Sequence, residues 1–165
     1  MTLATLGYEG LNIETFFSIL KHNNIQTIVD IRELPISRKP GFSKSALIKQ
    51  TESFGLRYIH SPNLGAPRDI RHEYRDDDDW DRFTDRYLVH LKLQNVELEL
   101  LAELVQRENC CLLCFEANHL RCHRHYVANA LVSRTGSQLN INHLVATEIM
   151  PVAWPQPLAG ITVPQ

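Results

Sequence analysis

This sequence of 165 residues has neither a long apolar run nor an excess of charge of one sign. A helix that crosses a membrane needs about 20 consecutive apolar residues, and the apolar runs here are no longer than a buried strand. The 17 lysine and arginine residues nearly balance the 19 aspartate and glutamate residues, which gives a formal net charge of -2. The total charge therefore does not indicate a non-specific nucleic-acid or membrane binder, and any basic site must be local.

Two features of secreted proteins are also missing. Residues 1–4 lack the basic-then-apolar layout of a signal peptide. All four cysteines fall between Cys110 and Cys122, whereas a secreted disulfide framework would connect distant segments. The composition, 44% hydrophobic and 22% charged, is that of an ordinary globular domain. We therefore expect a soluble cytoplasmic protein whose cysteines are buried or reactive thiols.

The pattern of apolar residues predicts strands that alternate with helices. Strands are predicted at Leu3–Leu6, Ile25–Ile31, Leu56–His60, Cys110–Phe115 and Leu139–Val145. Helices are predicted at 13–20, 43–54, 80–91, 98–105 and about 121–134, with Asn12 and Ser43 as N-caps. This alternation indicates the α/β class: one three-layer domain with a mainly parallel sheet of about five strands flanked by helices.

Three other segments complete the organisation. Residues 61–79, which include Pro62, Gly65 and Pro67, are predicted to be irregular. The run of four aspartates that ends at Asp79 is expected at the front of the next helix, where the helix dipole favours negative charge. The domain is assigned to residues 1–150, and residues 151–165 are expected to form a proline-rich tail or strap.

Polar residues collect where the predicted strands end. In a parallel α/β sheet, ligands bind beyond the carboxyl ends of the strands. The candidate ligand-binding residues at this edge are Tyr8, Arg32, Ser37, Arg38, Lys39, Phe42, Ser43 and Arg124, and the candidate catalytic residues are Glu9, Asp30, Glu116, Cys122 and His123.

The basic members of this set suggest an anion site. Arg32, Arg38, Lys39 and Arg124 can surround a phosphate near the helix starts that follow Ser43 and Cys122. The alternative is that the arginines are paired with Glu9, Asp30 and Glu116, as buried ion pairs require. Those carboxylates would then orient the arginines, whereas two of them sharing a pocket could act as general acid and base.

Two aromatic residues near this edge have alternative roles. Phe42, beside Gly41 in a loop, is the better candidate for stacking on a nucleic-acid base. Tyr58, in a strand, is expected in the core.

Cys122 stands at a predicted helix N-terminus between Arg121 and His123, a setting that favours a thiolate and nucleophilic chemistry. The alternative, which we prefer, is a small buried residue that packs the helix onto the sheet.

Cys111 and Cys114 match C-x-x-C, but residues three apart in a strand point to opposite faces. A zinc site from Cys114, His119, Cys122 and either His123 or His125 has suitable ligand types but irregular spacing. We assign no metal ligand and no cofactor.

Four motifs in order resemble the DUF488 family, a domain of unknown function. They are Leu6-Gly7-Tyr8-Glu9-Gly10; Val29-Asp30-Ile31-Arg32 with Pro35 and the run from Ser37 to Ser43; Tyr58-Ile59-His60 with Leu64-Gly65; and Leu112-Leu113-Cys114-Phe115-Glu116 with Cys122-His123-Arg124. Ala66 stands where the family pattern commonly has a second glycine. The resemblance implies an α/β fold and a bacterial-type cytoplasmic setting, and it supplies no activity.

Three functions are therefore open. The leading one is a binder of a phosphate-bearing small molecule, nucleotide or nucleic-acid end, acting as a hydrolase or transferase. The second is a non-catalytic binding or regulatory module in which the same charges form a structural ion-pair network. The third is thiol or zinc-dependent chemistry at Cys114 and Cys122. The sequence does not indicate an oligomeric state or a membrane partner.

Overall fold

The computed structural model describes residues 1–136 and 138–145. Eleven main elements follow one another along the chain: β1 (Thr2–Gly7), α1 (Ile13–His22), β2 (Thr27–Asp30), α2 (Lys44–Ser53), β3 (Arg57–His60), α3 (Arg68–Asp77), α4 (Trp80–Lys92), α5 (Asn95–Val105), β4 (Cys110–Cys114), α6 (Arg124–Thr135) and β5 (Asn140–His143). Short 3-10 turns at Pro62–Leu64 and His119–Arg121 precede α3 and α6. No helix in these two ranges is long and apolar enough to span a membrane. The predicted tail, 151–165, lies outside the described residues.

The five strands form one parallel sheet in the order β3-β2-β4-β1-β5. All five predicted strands are present, and the predicted α/β class is confirmed. The central strand, β4, is buried along its whole length, as expected for a parallel strand covered on both faces. It pairs with β1 on one side, with Leu3 opposite Cys110, and with β2 on the other, with Thr27 opposite Cys110.

Helices cover both faces of the sheet. One core contains Phe16 and Leu20 of α1 and Leu47 of α2, packed with Cys111 and Leu113 of β4. The opposite core takes its residues from α3 to α6 and from Cys110 and Leu112. Alternate residues of β4 thus face opposite layers, which places Cys111 and Cys114 on different faces, as the sequence predicted.

Residues 61–79 differ from the prediction, because they contain a full helix, α3. This helix buries only Ile70, so it lacks the apolar stripe by which helices are recognised. Its polar side chains are held by ion pairs, among them Arg71 with Glu33 and Arg86 of α4 with Asp69. The aspartate run is divided: Asp77 ends α3, Asp78 adopts a left-handed conformation, and the Asp79 side chain caps α4.

Candidate functional site

The site lies where helices leave the sheet towards opposite faces. The helices that follow β1 and β2 pack on one face, and the helix that follows β4 packs on the other. Because β4 lies between β1 and β2, a crevice opens beyond its carboxyl end, where open α/β sheets bind ligands. A cavity of about 720 Å³ occupies this crevice, a size typical of small-molecule sites.

The cavity gathers residues from several elements. From the strand ends and the turns after β4 come Tyr8, Arg32, Cys114, Phe115, Glu116, Arg121, Cys122 and His123. The loop after β2 contributes Glu33, Leu34, Ile36, Ser37 and Arg38, and the other wall contains Ala66, Arg71, Tyr74, Arg75, Asp78, Trp80 and Phe83. Of the predicted site residues, Glu9, Asp30, Lys39, Phe42, Ser43 and Arg124 are not among the lining residues.

Arg32 is bound tightly to the protein itself. Its Nε and Nη2 donate to the two carboxylate oxygens of Asp30 at 2.8 and 2.5 Å, and its Nη1 donates to the Phe42 carbonyl and the Tyr8 hydroxyl. Burial alone would lower the pKa of Arg32, but the hydrogen bonds and charge of Asp30 outweigh it, so the pKa is raised. Arg32 therefore has the carboxylate partner that the ion-pair interpretation expects.

Asp30 is fully buried and has a second side-chain donor. The Tyr58 hydroxyl donates to it at 2.6 Å. Burial, and then the hydrogen bond and charge of Asp30, raise the pKa of Tyr58. The Asp30 carboxylate thus acts as a structural centre that holds β2, β3 and the loop after β2 together.

Arg124 likewise binds the chain. Its guanidinium donates to the backbone carbonyls of Glu116 and Ala117 and approaches the Thr5 hydroxyl at 3.4 Å. A side chain at Gly7 would overlap the Glu116 carbonyl, so only glycine permits this close approach of β1 to the segment after β4. Arg124 and Gly7 together fix the position of Glu116.

The remaining predicted residues have local partners. The Glu9 carboxylate accepts from the Ala117 backbone N–H, Lys39 Nζ donates to the Tyr8 carbonyl, and Ser43 is the N-cap of α2. Phe42 is fully buried with its ring stacked on Tyr8 at 4.4 Å. The structure therefore gives Phe42 a core position in place of the ligand-stacking position that the sequence suggested.

One wall of the cavity is a cluster of two thiols, a carboxylate and an imidazole. The Cys114 and Cys122 thiols donate to the same oxygen of Glu116, at 2.8 and 3.1 Å. His123 Nε2 donates to the Ile31 carbonyl. The Cys114 sulfur lies 3.7 Å from His123 Nδ1 and 3.8 Å from Nε2, and the Cys122 sulfur lies 4.0 Å from Nδ1. The ligand atoms of all four residues lie within 4.8 Å of one another.

Burial and the charges of its own members together set the protonation of this cluster. Burial raises the pKa of Cys122 well above the ordinary thiol value, and the neighbouring Cys114 adds to the shift. Burial opposes the charged forms of Glu116 and His123, but their mutual attraction and the nearby thiols outweigh it. The pKa of Glu116 is therefore lowered and that of His123 raised. Cys122 is therefore a thiol at neutral pH and not the thiolate that its place near a helix start would favour.

Sequence reasoning missed most of one wall of the cavity. Arg71, Tyr74 and Arg75 lie on α3, which was not predicted. Trp80 and Phe83 carry the helical spacing of a core face, and their rings stack at 4.8 Å. Phe115 is 45% exposed just after β4, whereas the sequence predicts it as the last residue of a buried strand. An aromatic residue directly after the central strand was the one available signal.

Comparison with known proteins gives a family and nothing finer. The family model described as "Domain of unknown function DUF488" matches residues 12–131. The search of curated proteins and the search of solved structures each gave no match.

Proposed function

The chain belongs to the DUF488 family, whose description names no activity, and we propose from its own residues that it binds a phosphate-bearing ligand. The ligand class is a nucleotide or a nucleic-acid end, and the binding place is the cavity beyond β4. The phosphate is bound by Arg38 and Arg75, and a base lies against Phe115.

One observation carries this proposal. Within the described ranges, Arg38 and Arg75 line the cavity without a hydrogen bond or ion pair, whereas Arg32 and Arg71 each bind a carboxylate. The two free guanidinium groups come from different elements, the loop after β2 and α3. Guanidinium groups are suited to bidentate phosphate recognition. This anion site differs from the set expected from the sequence, because only Arg38 is retained and Arg75 is added. Arg32, Lys39 and Arg124 donate to protein groups instead.

The aromatic wall favours a ligand with a flat ring. Phe115 lines the cavity with an exposed ring. Tyr8 meets it edge-on at 5.3 Å and so limits its movement. Stacking of a base on an aromatic ring contributes about 1–3 kcal/mol. A nucleotide can stack its base on Phe115 and bind both arginines through its phosphate, whereas inorganic phosphate can bind only the arginines.

Hydrolysis or group transfer at the phosphate is the reaction class that the lining residues support. The charges of Cys122 and Glu116 raise the pKa of His123, which favours its protonated form, and a protonated His123 can act as the general acid that protonates a leaving oxygen. Water is the attacking group in the hydrolytic version, and the neighbouring Glu116 carboxylate can accept its proton.

Binding is tested by titrating the protein with inorganic phosphate and with a nucleoside monophosphate, followed by calorimetry and backbone NMR. Loss of a charge-assisted hydrogen bond costs about 1.5–3 kcal/mol, so Arg38→Gln and Arg75→Gln should each weaken binding by about ten- to a hundredfold. Arg107→Gln is the matched control, because Arg107 is exposed just after α5, does not line the cavity, and pairs through its guanidinium with Glu103. Phosphate release by the wild type and by His123→Gln tests the catalytic part.

Two results would contradict the proposal. One is the absence of any shift at Arg38, Arg75 and Phe115 with either ligand. The other is equal weakening by Arg107→Gln, which would indicate non-specific charge attraction. Binding without phosphate release would reduce the proposal to the non-catalytic module.

A second candidate function, a zinc centre at Cys114, Cys122 and His123, is favoured by a separate observation. Around a tetrahedral Zn²⁺ ion, sulfur and nitrogen ligands lie about 3.6 Å apart. The distances from His123 Nδ1 to the two sulfurs, 3.7 and 4.0 Å, are close to this value. Glu116 would then be the fourth ligand or the base beside an open position. Metal analysis, with Co²⁺ as a probe, tests it, because thiolate ligands give Co²⁺ an intense near-ultraviolet charge-transfer band.

A further inference from the structure

We propose that His119, His125 and His143 form a second, independent site for a divalent transition-metal ion of the Zn²⁺ class. His119 belongs to the 3-10 turn before α6, His125 to the first turn of α6, and His143 to the carboxyl end of β5. One nitrogen of each ring lies within 4.8 Å of the others. None of the three residues is among those that line the cavity.

The strongest support is a pair of unsatisfied nitrogens. Within the described ranges, three buried side-chain polar atoms lack a hydrogen-bond partner, and two of them are Nδ1 of His119 and Nδ1 of His125. A buried polar atom without a partner costs about 1–3 kcal/mol. A metal ion bound by both nitrogens would satisfy the two atoms at once, because it accepts the lone pairs of imidazole nitrogens.

In two of the three rings, His125 and His143, the other ring nitrogen already has a hydrogen-bond partner. His143 Nδ1 is hydrogen-bonded to the Thr5 hydroxyl at 2.8 Å, and His125 Nε2 meets the Asn129 amide at 3.1 Å. Histidines that bind metals usually have their second nitrogen anchored in this way. These anchors leave Nδ1 of His119, Nδ1 of His125 and Nε2 of His143 as the ligand atoms. A half-turn of the Asn129 amide presents its oxygen to His125 Nε2–H when Nδ1 is occupied.

The charge state of the rings suits a metal. The His119 and His143 rings are stacked 3.6 Å apart. Burial, together with the charges of the neighbouring histidines and of Arg124, lowers the pKa of His119 and lowers that of His143 to about 4. Both shifts favour the neutral form of the His119 and His143 rings, which is the form that binds metals.

The donor set indicates the metal. Imidazole nitrogens suit Zn²⁺, Ni²⁺ and Cu²⁺, whereas Mg²⁺ and Ca²⁺ prefer oxygen. The ligand nitrogens around a tetrahedral Zn²⁺ lie about 3.3 Å apart. To bind one ion, the three rings move closer together, and the stacked His119 and His143 rings turn out of their parallel arrangement. Three protein ligands leave the fourth position open to water. The ion would also connect the edge strand β5 to α6.

Two substitutions remove a ligand atom while keeping the anchor. In His143→Asn, the Asn amide nitrogen takes the place of Nδ1 and keeps the bond to Thr5, but nothing replaces Nε2. In His125→Gln, the Gln amide nitrogen takes the place of Nε2 beside Asn129, but nothing replaces Nδ1. His22→Gln is the matched control, since His22 is exposed in the last turn of α1 and belongs to neither cluster.

The experiment titrates untagged, chelator-treated protein with Zn²⁺ and follows the histidine ring nitrogens by ¹⁵N NMR. The expected result is a shift of the three ligand nitrogens, an affinity lower by about tenfold or more in His143→Asn and His125→Gln, and no change in His22→Gln. Co²⁺ should bind at this site without a thiolate charge-transfer band.

Unchanged ring nitrogens, or Zn²⁺ binding by both variants as tight as in the wild type, would overturn the inference. A response confined to His123, with a thiolate band for Co²⁺, would overturn it too while supporting the zinc centre at Cys114 and Cys122. The phosphate titrations described above are independent of both results.

Discussion

Replacing Asp30 with alanine tests whether the centre of the site is a structural ion pair. Asp30 is 0% exposed and accepts hydrogen bonds from Arg32 at 2.8 and 2.5 Å and from Tyr58 at 2.6 Å. The substitution leaves the Arg32 guanidinium buried without its carboxylate partner, while its bonds to the Phe42 carbonyl and the Tyr8 hydroxyl remain.

The size of the effect follows from burial. Arg32 is only 6% exposed, and breaking a buried ion pair by removing one partner costs about 3–5 kcal/mol. The whole folding free energy of such a domain is about 5–15 kcal/mol. For a chain of this length, each kcal/mol lowers Tm by about 2–4 °C, so Asp30→Ala should lower Tm by roughly 6–20 °C.

The assay is thermal and urea unfolding followed by circular dichroism, with Asp69→Ala as the matched control. Asp69 pairs with Arg86 at 2.7 Å, but its side chain is 63% exposed, and exposed pairs contribute about 0–1 kcal/mol. If Asp30→Ala costs no more than Asp69→Ala, Arg32 is not confined by its carboxylate. The reasoning would then be refuted, and Arg32 would return to the list of ligand-binding arginines.

Two further predictions concern Gly7 and Cys122. Gly7→Ala should lower the free energy of unfolding by about 3 kcal/mol or more, because the added methyl group displaces the Glu116 carbonyl from Arg124 and overpacks the turn. The control Gly55→Ala, at a position with φ of 68° but open space around it, should lower it by about 1–2 kcal/mol. Equal losses of stability in urea unfolding would contradict the close approach at Gly7. Iodoacetamide at neutral pH should modify Cys122 at least about tenfold more slowly in the native than in the unfolded protein, because Cys122 is 1% exposed and its pKa is raised. Labelling is measured by mass spectrometry, and equally fast labelling of the native protein would instead support a nucleophilic role for Cys122.

The strands were predictable because burial on both faces leaves a plain signal. The segment from Cys110 to Cys114 is apolar throughout, and β5 follows a helix whose apolar residues have the ordinary helical spacing. The α/β class therefore follows from local sequence patterns. Helix α3 was not predictable in the same way, since Ile70 is its only buried residue. Its stability depends on partners such as Glu33 and Arg86 that are distant in sequence.

The place of the site was predictable, but the state of its charges was not. Parallel strands bring their carboxyl ends to one edge, which is why Tyr8, Arg32 and Glu116 meet. Whether an arginine there is free or bound depends on three-dimensional neighbours. Arg32 and Arg38 look alike in sequence, yet one binds Asp30 and the other has no partner within the described ranges. The free Arg75 could not be placed without α3.

The central position of β4 constrains the order in which the molecule can fold. β1 and β2 precede it by many residues, yet they are not neighbours, and β4 joins them. Until residue 114 is available, the only complete strand pair that the preceding chain offers is β2 with β3. Pairings between residues so far apart along the chain slow folding. During synthesis the β1 edge that faces β4 stays open, and the binding crevice forms only when β4 inserts between β1 and the β2-β3 pair.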